Sequence, residues 1–331
     1  MSQAEALVEV WRGDFLECVH RGHAVVCDGA GEVVAAWGDP GAVILPRSSV
    51  KVFQALPLVA SGAADRAGLT DRHLALACAS HSGAFIHNRL ARSWLRDLGF
   101  GPEDLLCGAQ SPQDRETRHD LIRHGQSPDP THHNCSGKHC GFLTLRQHLG
   151  AGPDYVDPAH PVQRAVRELF EEVTGAPSPG YGIDGCAAPN FATTVTGLAR
   201  GAAWIATAGT RADALSGAGG RLAEAMMAHP ELVAGEGRAC TALMRAAPGA
   251  VLAKTGAEGV YLAALPNAGL GIGLKIEDGA TRASECAVAA LLARLGALDP
   301  EHPAVQSLLS PAIHNQRGDA VGAIRPAAAL M

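Results

Sequence analysis

Aromatic side chains are scarce in this sequence, at 4% of 331 residues. A core built without them must rely on small aliphatic side chains, which favours helices. Charge is sparse too, at 18% against 47% hydrophobic residues, so the composition allows a large buried core. No basic run or basic helix accompanies the net charge of −6 and pI near 6.2, which excludes nucleic acid and anionic membrane as natural partners. Every apolar stretch is broken by charge, Gly or Pro before it could span a bilayer. The N-terminal MSQAEALVEVWRGDF lacks the basic start and apolar core of a signal peptide. The expectation is a soluble, cytoplasmic protein. A disulfide framework is missing as well: nine cysteines are an odd, scattered set and read as thiols or metal ligands in a reducing compartment.

What is present is organised as strands, then helices, then strands and a last helix. A strand is expected around Val8 to Trp11. "HAVVCDGAGEVVAAW" reads as two strands joined by an Asp28-Gly29-Ala30-Gly31 turn. From Ser48 to about Ala234 the pattern is mostly helical. "SSVKVFQALPLVASG" is its first helix, kinked at Pro57, "GAFIHNRLARSWLRDLGFG" closes on Gly99, and "HPVQRAVRELFEEVTG" runs from Pro161 to Gly175. Two segments interrupt it, "QSPDPTHHNCSGKHCG" and "TGAPSPGYGIDGCAAPN"; both are rich in Gly, Pro, Ser and Asn and read as loops. After residue 248, "AVLAKTG", "GVYLAALP" and "GLGIGLKIEDG" give three consecutive antiparallel strands, and "ATRASECAVAALLARLG" a long apolar helix. The expected class is α+β. One antiparallel sheet draws on residues 1–47 and 248–331, with flanking helices, and an inserted, mostly helical subdomain covers 48–247.

Ser48 and Lys51 stand at the front of the first helix. A lysine in an otherwise apolar helix start costs desolvation unless something uses it. Positions i and i+3 share one face, so hydroxyl and amine can meet, and a serine needs such a base to become a nucleophile. S-x-x-K is frequent by chance, but Lys254-Thr255-Gly256 closes a predicted late strand. S-x-x-K at a helix start with K-T-G on a late strand is the arrangement of penicillin-recognising serine enzymes; their middle S-D-N element is absent. Ser80 in "CASHSG" is a further candidate, with helix-end capping as its ordinary role. In "HHNCSGKHC", His132, His133, Cys135, His139 and Cys140 crowd one segment. Thiolate and imidazole suit zinc, yet the spacing is not that of a zinc finger, and the only obvious distant partner is Cys186. A metal site and a cluster of ordinary buried thiols both remain open.

Taken together, "LPRSSVK", "CASHSG", "HHNCSGKHCGFL", "GIDGCAAPNFA", "KTGAEGVY" and "KIEDGATRA" closely resemble the Rhizobium-etli-type L-asparaginases, a zinc-containing class with a serine β-lactamase-like, penicillin-binding-protein-like fold. The resemblance runs over nearly the whole chain. It implies hydrolysis of L-asparagine to L-aspartate and ammonia. It implies two Ser-Lys tandems, Ser48 with Lys51 and Ser80 with Lys254, with Ser48 attacking the amide and Lys51 taking its proton. It also implies one zinc per subunit held by Cys135, Lys138 and Cys186, supported by Asp184, and a homodimer. Arg47, Asn134, His139, Thr255 and Gly256 are the candidate substrate-binding residues. A glutaminase or other small-amide hydrolase would share every one of these motifs. A β-lactamase-like hydrolase, a zinc hydrolase and a non-catalytic thiol-metal protein are the remaining alternatives.

Overall fold

The computed structural model describes residues 4–331. It contains twelve strands: β1 (Glu5–Arg12), β2 (Phe15–Cys27), β3 (Val33–Trp37), β4 (Val43–Ile44), β5 (Tyr181–Ile183), β6 (Pro189–Phe191), β7 (Thr193–Thr194), β8 (Leu252–Thr255), β9 (Val260–Leu265), β10 (Leu270–Ile276), β11 (Ala312–His314) and β12 (Ala320–Pro326). The main sheet is antiparallel throughout, in the order β11-β12-β1-β2-β10-β9-β8, with β3 also on β2. It is drawn from both ends of the chain, as the two strand-like stretches predict. Val26 on β2 pairs with Ala35 of β3 and with Ile272 of β10. β1 takes the first half of β2, with Trp11 opposite Leu16.

The chain divides into two compact units. The sheet unit holds the chain up to Ser49, Thr193–Thr207 and Ala242–Met331. Its strands β8 and β9 are buried at every residue, so both faces of the sheet must be covered. The Val195–Ala206 helix covers one of them, and its approach explains the glycines of "GLGIGL". A Cβ on Gly271 would lie 2.0 Å from the Ala203 nitrogen, and one on Gly273 2.7 Å from the Val195 carbonyl. The alternation of a strand puts these two positions on one face, where the helix rests directly on strand backbone. Ile272 and Leu274 fill the other side and are fully buried.

The helical unit comprises Val50–Ala192 and Ala208–Thr241. Its first helix is not the single kinked rod the sequence suggests. A 3₁₀ turn over Arg47–Val50 leads into helices Lys51–Gln54 and Leu56–Ala60, because Pro57 has no N–H to offer the Phe53 carbonyl and the ladder restarts. The second difference is larger. Of the Cys-rich segment expected to be a loop, the last six residues, 136–141, are the start of a helix, Ser136–Leu149. Gly137 sits there for packing: a Cβ would fall 2.1 Å from the Leu76 carbonyl oxygen. The helix therefore lies tight against Asp71–Ala77, and Lys138, His139 and Cys140 are fixed on rigid, buried turns. Trp94 closes this core with its indole N–H on Thr144 Oγ1 at 3.0 Å.

Two glycine replacements should move stability in opposite directions. Gly271→Ala forces overpacking against backbone and is expected to cost about 3 kcal/mol or more. Gly217→Ala, on an exposed position of the Ala214–Ala228 helix with nothing within 4 Å, is expected to gain about 0.5–1 kcal/mol. Urea melts of the two variants against the parent check both signs.

Candidate active site

Lys51 opens its helix fully buried, at 0% exposure. Its Nζ donates to the Ala79 carbonyl at 2.5 Å, to Ser80 Oγ at 2.9 Å and to Cys135 Sγ at 3.0 Å. Ser80 lies just beyond the Asp71–Ala77 helix, in a turn whose backbone is fastened on both sides. Ser80 N–H donates to the Val233 carbonyl and Ser82 N–H to the Ala234 carbonyl, each at 2.9 Å, and His81 N–H donates to the Asn134 carbonyl at 3.2 Å. Loop and lysine are thus held independently, and hydroxyl and amine meet without relying on a flexible segment. A Ser-Lys pair twenty-nine residues apart in sequence is visible only once the chain is folded.

Cys135 caps the Ser136–Leu149 helix, with its N–H on His133 Nδ1 at 3.0 Å and its thiol directed to Asn134 Oδ1 at 3.1 Å. One turn on, Lys138 Nζ donates to Cys186 Sγ at 3.0 Å. Cys186 is presented by the turn Asp184–Ala187, where Asp184 accepts from Ala187 N–H and Ala187 adopts φ of +66°. A hydrogen bond with Cys186, then burial, pushes the Cys135 thiol well above its ordinary value. The same bond from Cys135 holds Cys186 far down as thiolate against its burial, with Lys138 adding to it. Burial works against a charged Lys138, but Cys186 and Cys135 outweigh it and raise that amine.

Among the described residues, Cys135, Lys138 and Cys186 bring two sulfurs and an amine together in a cluster with donor chemistry that suits a zinc ion. Among the described residues no three His, Cys, Asp or Glu side chains group to hold a metal; here the third donor is a lysine. The charge count is balanced either way. A thiol, a thiolate and an ammonium sum to zero, and so do two thiolates, a neutral amine and a divalent cation, with two protons released. A neutral total matters in a site this deeply buried, so Cys135, Lys138 and Cys186 fit the group. Of the other metal-ligand candidates, His139 also bonds to Cys186 and His133 accepts from Cys135 N–H, while Cys140 and His132 turn to other partners. Cys140 turns to the Ala91 carbonyl. His132 Nδ1 lies 3.2 Å from Asp129 Oδ1 at the start of a short 3₁₀ turn. None of the nine cysteines is in a disulfide.

His139 is buried among Phe142 and Tyr155, with Nδ1 3.0 Å from the Tyr155 hydroxyl. Burial lowers its pKa, opposed by Cys186. Tyr155 itself, which also accepts from Leu106 N–H at 2.7 Å, carries no sequence signal beyond being one of three tyrosines. Asn134 donates its backbone N–H to Gln110 Oε1 at 3.1 Å.

The remaining candidates belong to the sheet unit. Ser48 is half-buried in the Arg47–Val50 turn. Lys254 lies near the end of β8, buried, with Nζ on the Thr255 carbonyl at 2.8 Å. Gly256 follows, and a Cβ there would stand 2.7 Å from the Pro46 carbonyl and 3.2 Å from Ser49 N. The K-T-G strand end and the Ser48 turn are therefore neighbours, and glycine is required between them. Arg47 has φ of +54° and Glu258 φ of +58°, and their side chains lie 3.9 Å apart.

A family model described as L-asparaginase II matches residues 8–326. The chain belongs to the L-asparaginase II family. No curated protein matches it. Among solved structures it is similar to Mglu in its glutamate form, at 17% identity and TM-score 0.49, covering 84% of this chain and 62% of that one. For Mglu in its native form the values are 17%, 0.44, 85% and 66%. A β-lactamase from Mycobacterium bovis gives 16% identity and TM-score 0.36, covering 82% of this chain and 94% of that one. The chain thus spans less than two thirds of the length of these Mglu structures. Among the described residues no helix is long and apolar enough to cross a membrane.

Burial beneath the Ser80 turn gives a pH signature. Burial, and then the neighbouring His87, hold His81 well below the ordinary histidine value; burial also lowers His87, against its bond to the Glu231 carbonyl. The unfolded chain, with histidines near about 6.5, then binds more protons than the folded one below that pH. Stability is expected to be full above about pH 6.5 and to fall progressively below it. Urea midpoints at pH 7.5 and 5.0 check this; a higher midpoint at pH 5.0 would contradict it.

Proposed function

We propose that this chain is an asparaginase-type amidohydrolase that converts L-asparagine to L-aspartate and ammonia by covalent Ser-Lys catalysis on a serine β-lactamase-like fold. The observation that supports it is the buried contact of Lys51 Nζ with Ser80 Oγ at 2.9 Å, in a chain of the L-asparaginase II family. Lys51, as free amine, takes the Ser80 proton while the serine oxygen bonds to the side-chain amide carbon. The ammonium so formed returns that proton to the departing nitrogen. Ammonia leaves and an aspartyl ester remains on the serine. Water then attacks the ester with Lys51 again as base, and serine and aspartate are released.

Ser48 keeps a claim on the attack, since it stands three residues before Lys51 at the head of the S-x-x-K element. Ser80→Ala is expected to lower kcat by about 10³-fold or more, with the thermal midpoint unchanged, and Ser48→Ala to lower it less. Ammonia release from asparagine, glutamine and a chromogenic β-lactam, run side by side, checks substrate class and nucleophile together. The opposite ranking of the two variants transfers the attack to Ser48, and faster turnover of glutamine or the lactam replaces the substrate assignment.

Zinc, when bound by Cys135, Lys138 and Cys186, would supply a Lewis acid that orients the substrate. Metal analysis is expected to find about one zinc per chain, lost in Cys135→Ser and Cys186→Ser but kept in Cys140→Ser, whose thiol faces the Ala91 carbonyl. Full occupancy in the Cys135 variant would remove that residue from the donor set.

A further inference from the structure

The reading above leaves His81 unused. This imidazole is fully buried, directly follows Ser80, and is fixed at both nitrogens. Nδ1 accepts from Gly83 N–H at 3.1 Å, so the ring proton of the neutral form is on Nε2. Nε2 lies 2.9 Å from Ser136 Oγ and donates to it. Ser136 is the residue after Cys135. The ring also stacks on His87, centroids 4.5 Å apart and planes 8° apart, and His87 is anchored by Nε2 on the Glu231 carbonyl at 2.8 Å. Behind the turn, Gly235 at φ +111° leaves room for Ser82; a Cβ there would meet Ser82 Oγ at 2.5 Å.

Three links therefore join residues 80–81 to residues 134–136. One is backbone, His81 N–H to the Asn134 carbonyl. One is the Lys51 ammonium between Ser80 Oγ and Cys135 Sγ. The third is His81 Nε2–H to Ser136 Oγ. Without the third, the backbone link alone would allow the two segments to pivot about Lys51. We propose that His81 is a positioning residue, whose Nε2–H bond to Ser136 sets the separation of Ser80 Oγ and Cys135 Sγ on either side of the Lys51 amine. It touches neither substrate nor reacting atoms; it acts through Ser80 and Cys135. The inference rests on the Ser-Lys reading above and adds a residue that reading does not name. Burial keeps both imidazoles neutral, which preserves the tautomer the bond requires.

Glutamine and asparagine separate the two nitrogens. A glutamine at 81 can carry an N–H to the place of Nε2, whereas an asparagine reaches only the place of Nδ1. His81→Asn and Ser136→Ala are each expected to lower kcat about 30-fold, with KM within about threefold and the urea midpoint close to the parent. The double variant should be no slower than the worse single, because both remove one bond. His81→Gln should recover at least about tenfold of what His81→Asn loses. Equal losses in Gln and Asn, additive losses in the double, or losses that follow the midpoint would overturn the proposal and leave His81 a packing residue. The same variants are assayed for acylation of Ser80 by p-nitrophenyl acetate, located by mass spectrometry of the Ser80 peptide. If the parent releases no ammonia but is acylated, the asparaginase reading fails, and the ranking Gln above Asn still decides the role of His81. No acylation of Ser80 in the parent overturns the positioning role as well.

Discussion

A lysine amine with no access to water must find three acceptors or be expelled, and the arrangement of the helical unit follows from how Lys51 finds them. Burying an ammonium costs several kcal/mol unless it is paired and hydrogen-bonded. The Ala79 carbonyl, the Ser80 hydroxyl and the Cys135 sulfur supply the three partners. They come from two segments far apart in sequence, and each segment is secured by backbone bonds that do not involve the lysine. Breaking either segment leaves an uncompensated buried cation, so packing, polarity and chemistry are tied at one nitrogen.

The second buried cation obeys the same constraint differently. Lys138 is neutralised by the Cys186 thiolate and stands one turn from Cys135 on the same helix. That turn can be rigid only because Gly137 lets the helix lie against the Leu76 carbonyl. A side chain there would push the Ser136–Leu149 helix off Asp71–Ala77. It would also separate Cys135 from Lys51 and Lys138 from Cys186. One glycine thus sets the position of both Cys135 and Lys138.

Sequence reasoning reached the antiparallel sheet from both chain ends and the K-T-G strand end, because alternation and turn residues are local signals. It missed β11 and β12, and the first half of β2, where "FLECVHRG" mixes exposed apolar and charged residues and buries only His20 and Gly22. It read "CSGKHCG" as a loop because composition cannot tell a loop glycine from one required by a close helix contact. The contact of Lys51 Nζ with Ser80 Oγ was not read from the sequence. Spacing carries no information about a contact between residues 51 and 80 that is made by two separate elements. The positions of Tyr155 and His81 were silent for the same reason: each serves through a partner remote in sequence, Leu106 and His139 for the one, Ser136 for the other.

The three partners of Lys51 are not equivalent, and the difference selects the proton that moves. As an ammonium Lys51 donates to all three. As an amine it has a lone pair and needs a donor. The Ala79 carbonyl has no proton to give. The Cys135 thiol turns its one proton to Asn134 Oδ1, away from the lysine. Ser80 is the remaining group, and a hydroxyl can reverse its bond by rotating about a single C–O axis. Loss of one proton from Lys51 therefore converts the Ser80 contact from acceptor to donor while the other two partners keep the nitrogen in place. The cage that makes the buried cation tolerable is also the device that directs its base chemistry to a single oxygen.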